Sequence, residues 1–281
     1  MKPFAGKTIV ITGATSGIGE AAAEGLAAKG ARIVFVARSA QKGRALMDKL
    51  KAINPQADHD WVQADLSTLA AMKQAGAALA LKAPTIDVLV NNAGAVFDRR
   101  EETTDGLEMT FAVNHLAYVV VTEILRPNLA ADARIVSTSS GGHAFGPLDF
   151  DDLQAVKGFS AARVYGRSKL CNVLWTRALA KRLKGTGITA NCFHPGGVST
   201  GFGSNMKGPW RLVFSLIKPF MLSPARGAET LVHLASSDTV KGQTGGYWVK
   251  RKLTTPSVDA QNDASAERLW ALSADIAGVP I

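Results

Sequence analysis

The sequence predicts an α/β fold in which one doubly wound parallel sheet carries helices on both faces. Short apolar, β-branched runs alternate along the chain with longer helical stretches. The connections between them are short, and the first run enters its helix through a glycine-rich turn. Parallel strands need a crossover between them, and helical crossovers cover both faces of the sheet.

In order, residues 7–11 predict a strand, 18–29 an alanine-rich helix, 32–37 a strand and 44–53 a helix. Residues 59–63 follow as a strand, 68–81 as a helix and 86–90 as a strand. Two long helices are expected over 107–125 and 161–184, separated by a strand at 133–137. Further strands are expected at 188–193 and 242–249, and a terminal helix at 264–272. No repeat or linker interrupts this alternation, so the whole chain of 281 residues reads as one domain.

Composition narrows the function classes. With 47% hydrophobic and 20% charged residues, there is enough apolar material for a large core. Cys171 and Cys192 form no disulfide framework and no metal-ligand spacing, which predicts a reducing compartment and no bound metal. Residues 1–13 lack the apolar run of a signal peptide, so a cytoplasmic protein is expected. The net charge is +9, and the excess is not spread evenly. Residues 153–252 hold 16 Lys and Arg against only Glu229 and Asp238, whereas residues 1–140 hold 15 basic and 14 acidic residues. No nucleic-acid recognition motif accompanies the charge, which leaves an anionic cofactor or an anionic membrane surface as its partner.

The first turn reads Thr12-Gly13-Ala14-Thr15-Ser16-Gly17-Ile18-Gly19 between a strand and a helix. Glycines there let the backbone turn sharply and approach a pyrophosphate, whose charge meets free amides and the positive end of the helix dipole. At the end of the second strand stands Arg38, followed by Ser39, where an acid would select NAD. A guanidinium fork suits a ribose 2′-phosphate, so NADP(H) is favoured over NAD(H).

Tyr165 and Lys169 stand four residues apart at the start of a predicted helix and share one face. A cation beside a phenol favours the phenolate and brings it toward the neutral range, which suits proton transfer. The strand at 133–137 runs into Thr138-Ser139-Ser140, offering a hydroxyl that can hydrogen-bond a developing oxyanion.

The GxxxGxG spacing of Gly13, Gly17 and Gly19, the Asn91-Asn92-Ala93-Gly94 turn and the Tyr165/Lys169 pair together resemble the short-chain dehydrogenase/reductase family, a Rossmann-type fold. The resemblance implies that Ser16 and Ile18 in the first turn, Asp65-Leu66, Asn91, Ala93 and Gly94 hold the adenosine half of the cofactor. It further implies that Lys169 and the turn Pro195-Gly196-Gly197-Val198-Ser199-Thr200 hold the nicotinamide half. By the same resemblance Tyr165 is the acid/base, Ser140 the assisting hydroxyl with Ser139 as the alternative, and Asn114 the holder of a proton-relay water. The implied activity is hydride transfer between the nicotinamide and an alcohol or carbonyl.

The stretches Ala112-Val113-Asn114-His115-Leu116 and Ser168-Lys169-Leu170-Cys171-Asn172 are similar to the retinol-dehydrogenase-like branch. A lipophilic carbonyl or alcohol is implied, facing an insert between Ser140 and Tyr165 that carries Phe145, Leu148, Phe150 and Phe159. Residues 203–222, rich in groups such as Trp210, Phe214, Phe220 and Met221, are expected to form a lid over it. The basic helix at 161–184 is expected to repel its copy across a symmetric dimer, which leans toward a monomer. Two other readings fit the motifs less well: a silent NADP-binding regulator, against which the intact Ser140/Tyr165/Lys169 set argues, and an isomerase or epimerase, which would carry a larger C-terminal domain.

Overall fold

The computed structural model describes residues 3–197 and 222–280. Its first half repeats strand and helix: β1 (Thr8–Ile11), α1 (Gly17–Ala28), β2 (Arg32–Ala37), α2 (Ala40–Ile53), β3 (Asp60–Gln63), α3 (Leu69–Lys82) and β4 (Ile86–Asn91). Next come α4 (Met109–Phe111), a π turn (Ala112–Leu116), α5 (Ala117–Leu125), β5 (Leu129–Thr138), α6 (Ala161–Arg182) and β6 (Thr189–His194). The described C-terminal part holds α7 (Pro224–Ser236), β7 (Tyr247–Val249), β8 (Lys252–Thr254) and α8 (Asp263–Ala277).

One sheet runs in the order β3-β2-β1-β4-β5-β6-β7-β8, parallel except for β8 at the edge. Alternate residues of each central strand enter opposite cores, as the pleat requires. Ile9, Ile11, Ile33, Phe35 and Phe193 join Leu26 of α1, Leu46 of α2 and Leu231 of α7 on one face. Val10, Val34, Leu89 and Ile135 join residues of α3, α5, α6 and α8 on the other. Burial on both faces explains why these strands read as continuous apolar runs. The strand order reverses between β1 and β4, and the crevice at the carboxyl ends of the strands there is where open α/β sheets place ligands.

The structure departs from the expected elements in four places. The helix expected over 107–125 is a short turn, a π turn and a helix, started by fully buried Glu108, whose carboxylate accepts from the amides of Thr110 (2.8 Å) and Phe111 (2.7 Å). The strand expected from 242 begins only at Tyr247, because Gly242 and Gly245 both turn with φ +75°. A hairpin through Lys250 and Arg251, both at positive φ, adds the exposed strand β8. Its turn lacks the glycine or asparagine that signals such hairpins, so the sequence did not announce it. Helix α7 was also unforeseen, although Ser223 caps the amide of Arg226 and Pro224 takes the first helical position.

Candidate active site

The glycine turn after β1 is shaped by contacts within the chain. A Cβ on Gly13, whose φ is +66°, would stand 2.6 Å from the Ala93 Cα, and one on Gly19 would stand 2.2 Å from the Gly13 carbonyl oxygen. These two glycines let the turn press against the chain leaving β4. Thr12 seals the junction, its hydroxyl accepting from the amides of Asn92 (3.0 Å) and Ala93 (3.1 Å). The Asn92 side chain returns a hydrogen bond to the Gly13 carbonyl at 3.0 Å. At the mouth of α1, Ser16 is exposed and its side chain caps no amide, which leaves the helix start open to an anion.

The structure divides the Asn91-Asn92 pair differently from the expectation. Asn91 is fully buried with its amide donating to the Thr122 hydroxyl at 2.9 Å, so its side chain serves the β4–α5 packing. Asn92, quoted in the motif but given no role, holds the first turn and also accepts from the Thr138 hydroxyl at 3.1 Å. The signal was present: only one of two adjacent strand-end side chains can face outward.

Arg38 is exposed at the carboxyl end of β2, Asp65 is exposed beyond β3, and Leu66 is buried beside it. Ser39 caps α2 by accepting from the Lys42 amide at 3.4 Å. Pro195 and Gly196 follow β6, with Gly196 at φ +90°. Val198, Thr200 and all of the expected lid except Leu222 lie outside the described residues.

Three strand ends and one helix bring the chemical groups together. The phenolic end of Tyr165 is buried and hydrogen-bonds Ser140, while burial pushes its proton affinity up to about 12 against the pull of that bond. Lys169, 3% exposed, donates to the Thr138 carbonyl at 3.2 Å and lies over the rings of Tyr118 (5.6 Å) and Tyr165 (5.7 Å). Burial pulls the Lys169 ammonium down to about 7. The phenol is thus shifted opposite to the expectation, because burial outweighs the Ser140 hydrogen bond. Tyr165 is protonated throughout the neutral range, and Lys169 exchanges its proton there.

Ser139 and Ser140 are clearly distinguished. The Ser139 hydroxyl is buried and donates to the Lys169 carbonyl at 2.9 Å, whereas Ser140 faces Tyr165. Asn114 sits in the π turn, a feature that recurs at functional sites. Its side chain accepts from the Ala95 amide (2.8 Å) and donates to the Ala95 carbonyl (2.9 Å) and the Ser168 hydroxyl (3.1 Å). Its main-chain carbonyl accepts from Asn172 at 2.9 Å and keeps a second lone pair. Asn114 and Lys169 meet at Gly94, where a Cβ would lie 3.2 Å from the Asn114 Oδ1 and 3.4 Å from the Lys169 Nζ.

Residues 7–209 match the family model described as short chain dehydrogenase. The chain belongs to the short-chain dehydrogenase family. Membership makes it an oxidoreductase of alcohol and carbonyl groups. Retinol dehydrogenase 12 of Mus musculus is 37% identical, over 98% of this chain and 87% of its own length. A solved structure of an uncharacterized protein from Mycobacterium paratuberculosis is 28% identical with a TM-score of 0.80, covering 99% of this chain and 96% of its own. A short-chain dehydrogenase from Burkholderia cenocepacia J2315, solved in complex with NADP, is 26% identical with a TM-score of 0.69, covering 87% of this chain and 96% of its own.

The insert between Ser140 and Tyr165 is less open than expected of a family member's substrate loop. Leu148 and Phe150 pack against the core, and Arg268 covers the Phe150 ring at 4.3 Å, so neither is free for substrate. Phe145 remains 78% exposed. The basic face of α6 is also less free than its sequence suggests, because Asp263 meets Arg177 (2.8 Å) and Lys181 (3.0 Å), and Glu267 meets Arg182 (2.7 Å). Arg167 is buried, its guanidinium donating to the carbonyls of Pro147 and Asp152. These pairings weaken the charge argument both for an anionic membrane and against a dimer. Among the described residues no helix is long and apolar enough to cross a membrane.

Proposed function

We propose that the chain is an NADP(H)-dependent oxidoreductase of lipophilic carbonyl and alcohol substrates, with Tyr165 as the proton-transfer group. The observation that carries this reading is the meeting of Tyr165, Ser140 and Lys169 at the carboxyl end of β5, beside the crevice between β1 and β4. The chain's residues fit a dinucleotide there. The α1 amides are open at Ser16, Gly94 keeps a Cβ away from Lys169 and Asn114, and the exposed Arg38 forms no ion pair with a carboxylate among the described residues.

A bound nicotinamide dinucleotide supplies the hydride in reduction and takes it in oxidation. In reduction Tyr165, protonated at neutral pH, donates its proton to the substrate oxygen while the Ser140 hydroxyl hydrogen-bonds the same oxygen. Lys169 holds a proton that it can release near pH 7, and passes it to the Tyr165 oxygen. The Asn114 main-chain carbonyl, which accepts from Asn172 and keeps a second lone pair, would hold a relay water. In oxidation each proton moves the opposite way. Arg38 and Ser39 select the 2′-phosphate of NADP(H), and NAD(H) binds more weakly. The names of the retinol dehydrogenase relatives, together with exposed Phe145, support a lipophilic substrate.

The test is NADPH absorbance with a panel of lipophilic aldehydes and ketones. Tyr165→Phe is expected to lower kcat by about 10² to 10⁴, the usual worth of acid–base catalysis, with NADPH binding retained. Retention of activity within about tenfold of wild type removes Tyr165 from the reaction. Arg38→Asp is expected to raise KM for NADPH far more than for NADH, and indifference of both constants overturns the phosphate assignment.

A further inference from the structure

Hydrogen bonds on every side fix the backbone around Ser140. Its hydroxyl accepts from the Gly142 amide at 3.1 Å, and its carbonyl lies 2.7 Å from the His143 Nδ1. The next amide, of Gly141, donates to the Nδ1 of His194 at 3.0 Å. That same nitrogen faces the Gly196 amide at 3.4 Å.

These contacts leave each imidazole one tautomer. Backbone N–H groups only donate, so the His194 Nδ1 carries a lone pair. His143 donates from Nδ1 to the Ser140 carbonyl and accepts at Nε2 from the Ser257 amide, 3.1 Å away. One ring therefore joins the Ser140 loop to the turn after β6, and the other joins it to the segment before α8. A protonated imidazole has no lone pair and would present N–H to N–H at each accepting contact.

We propose that His194 is a positioning residue for Ser140: its neutral Nδ1 accepts from Gly141 and Gly196 together and sets the spacing between the Ser140 loop and the glycine turn after β6. The proposal rests on the reading of Ser140 as the hydroxyl that meets the substrate oxygen. His143 secures the other side of the same loop.

The surroundings favour the neutral rings. Burial holds both His194 and His143 below the ordinary imidazole value, and each His143 cation would further disfavour one on His194. The titratable neighbours are Tyr165 of α6, whose ring lies 3.5 Å from where a Gly142 Cβ would stand, and Tyr247 of β7, 4.8 Å from the His143 ring. Cys192 of β6 stands beside Tyr247. No carboxylate among the described residues contributes to either imidazole's shift.

Two variants test the proposal. In His194→Asn a carboxamide oxygen takes the place of Nδ1, accepting as it does but never titrating; in His194→Leu no acceptor remains. Both are measured for reduction of decanal by NADPH between about pH 5 and 8, where imidazoles titrate. Amide hydrogen exchange of Gly141 and Gly196 is followed by NMR in the same proteins. His194→Leu is expected to lower kcat about 10- to 100-fold, more than it raises KM for NADPH, and to speed exchange of both amides. His194→Asn is expected to keep kcat at neutral pH within about threefold of wild type and to preserve the slow exchange of both amides. Unchanged exchange and kcat in His194→Leu overturn the proposal, as does exchange of Gly141 and Gly196 in His194→Asn as fast as in His194→Leu. If wild type reduces no carbonyl, the proposed function fails while the exchange of Gly141 and Gly196 still decides the role of His194.

Discussion

Through its middle turns α6 buries Ser168, Lys169, Asn172 and Thr176, while through its last turns it holds Arg177, Lys181 and Arg182 toward the surface. The buried groups form a continuous network. Asn172 donates to the carbonyls of Asn114 (2.9 Å) and Thr138 (3.2 Å), and its own oxygen meets the His115 Nδ1 at 3.2 Å. His115 continues to the Ser273 hydroxyl of α8 at 2.9 Å, with burial lowering the imidazole to about 4. The surface groups form ion pairs with α8, where Asp263 and Glu267 are 53% and 44% exposed. A hydrogen bond broken in a dry interior leaves its partner unsatisfied, whereas a surface ion pair exchanges one hydrated state for another. The same helix therefore carries its precision in its middle turns and its solubility at its C-terminal end.

Four substitutions rank this contrast. Trp270 of α8 stacks on Trp175 of α6 at 6.1 Å with Arg182 over its face at 4.2 Å. Trp270→Ala is expected to cost about 3 to 5 kcal/mol by urea unfolding, showing that packing and not charge holds the second half. A cost under about 1 kcal/mol would place the attachment elsewhere.

Asn172→Leu removes the network's centre and strands the Asn114 carbonyl and the His115 Nδ1. The expected loss is about 2 to 3 kcal/mol, accompanied by reduced kcat. An unchanged unfolding midpoint would mean that the network contributes nothing to stability.

For Lys169 the readout is pH. Its proton is held below about 7 and lost as pH rises through that value, so kcat for reduction is expected to fall on the alkaline side. Lys169→Arg keeps the cation at all working pH but releases no proton, so it is expected to lower kcat and to leave no limb near pH 7. A limb that stays in place belongs to another group.

Asp263→Asn is the smallest change, expected at no more than about 0.5 kcal/mol at neutral pH despite two partners. Its carboxyl is held below the ordinary range by Arg177 and Lys181, so the pair's contribution is present above that range and lost as pH falls through the folded value. The difference between variant and wild type should therefore vanish in acid. A cost above about 2 kcal/mol would make the surface ladder the stronger half and undo the comparison.

The legibility of the molecule follows the same division. Gly13, Gly17, Gly19, Tyr165 and Lys169 were readable because glycine spacing and an i, i+4 pair are local geometry written directly in the chain. Asn92, Asn172, His143 and His194 all stood in or beside quoted stretches yet received no role. Their partners are distant: His194 binds Gly141, 53 positions earlier, and His115 meets Ser273, 158 positions later. No local pattern marks such a contact. The π turn at Ala112–Leu116 was hidden for a related reason, since its period differs from that of an α-helix over too few residues to register.

By itself the sequence determined the α/β architecture, the glycine turn at the head of α1 and the residue types that face one another on a single helix. These depend on side-chain period and backbone sterics within a few residues. The tertiary structure decided which serine meets Tyr165, which asparagine leaves the core, and which cations of α6 are already paired. It also decided that burial raises the phenol and lowers the ammonium, against the expectation from their charges alone. Desolvation and hydrogen-bond satisfaction depend on everything packed around a group, and only the folded chain brings those neighbours together.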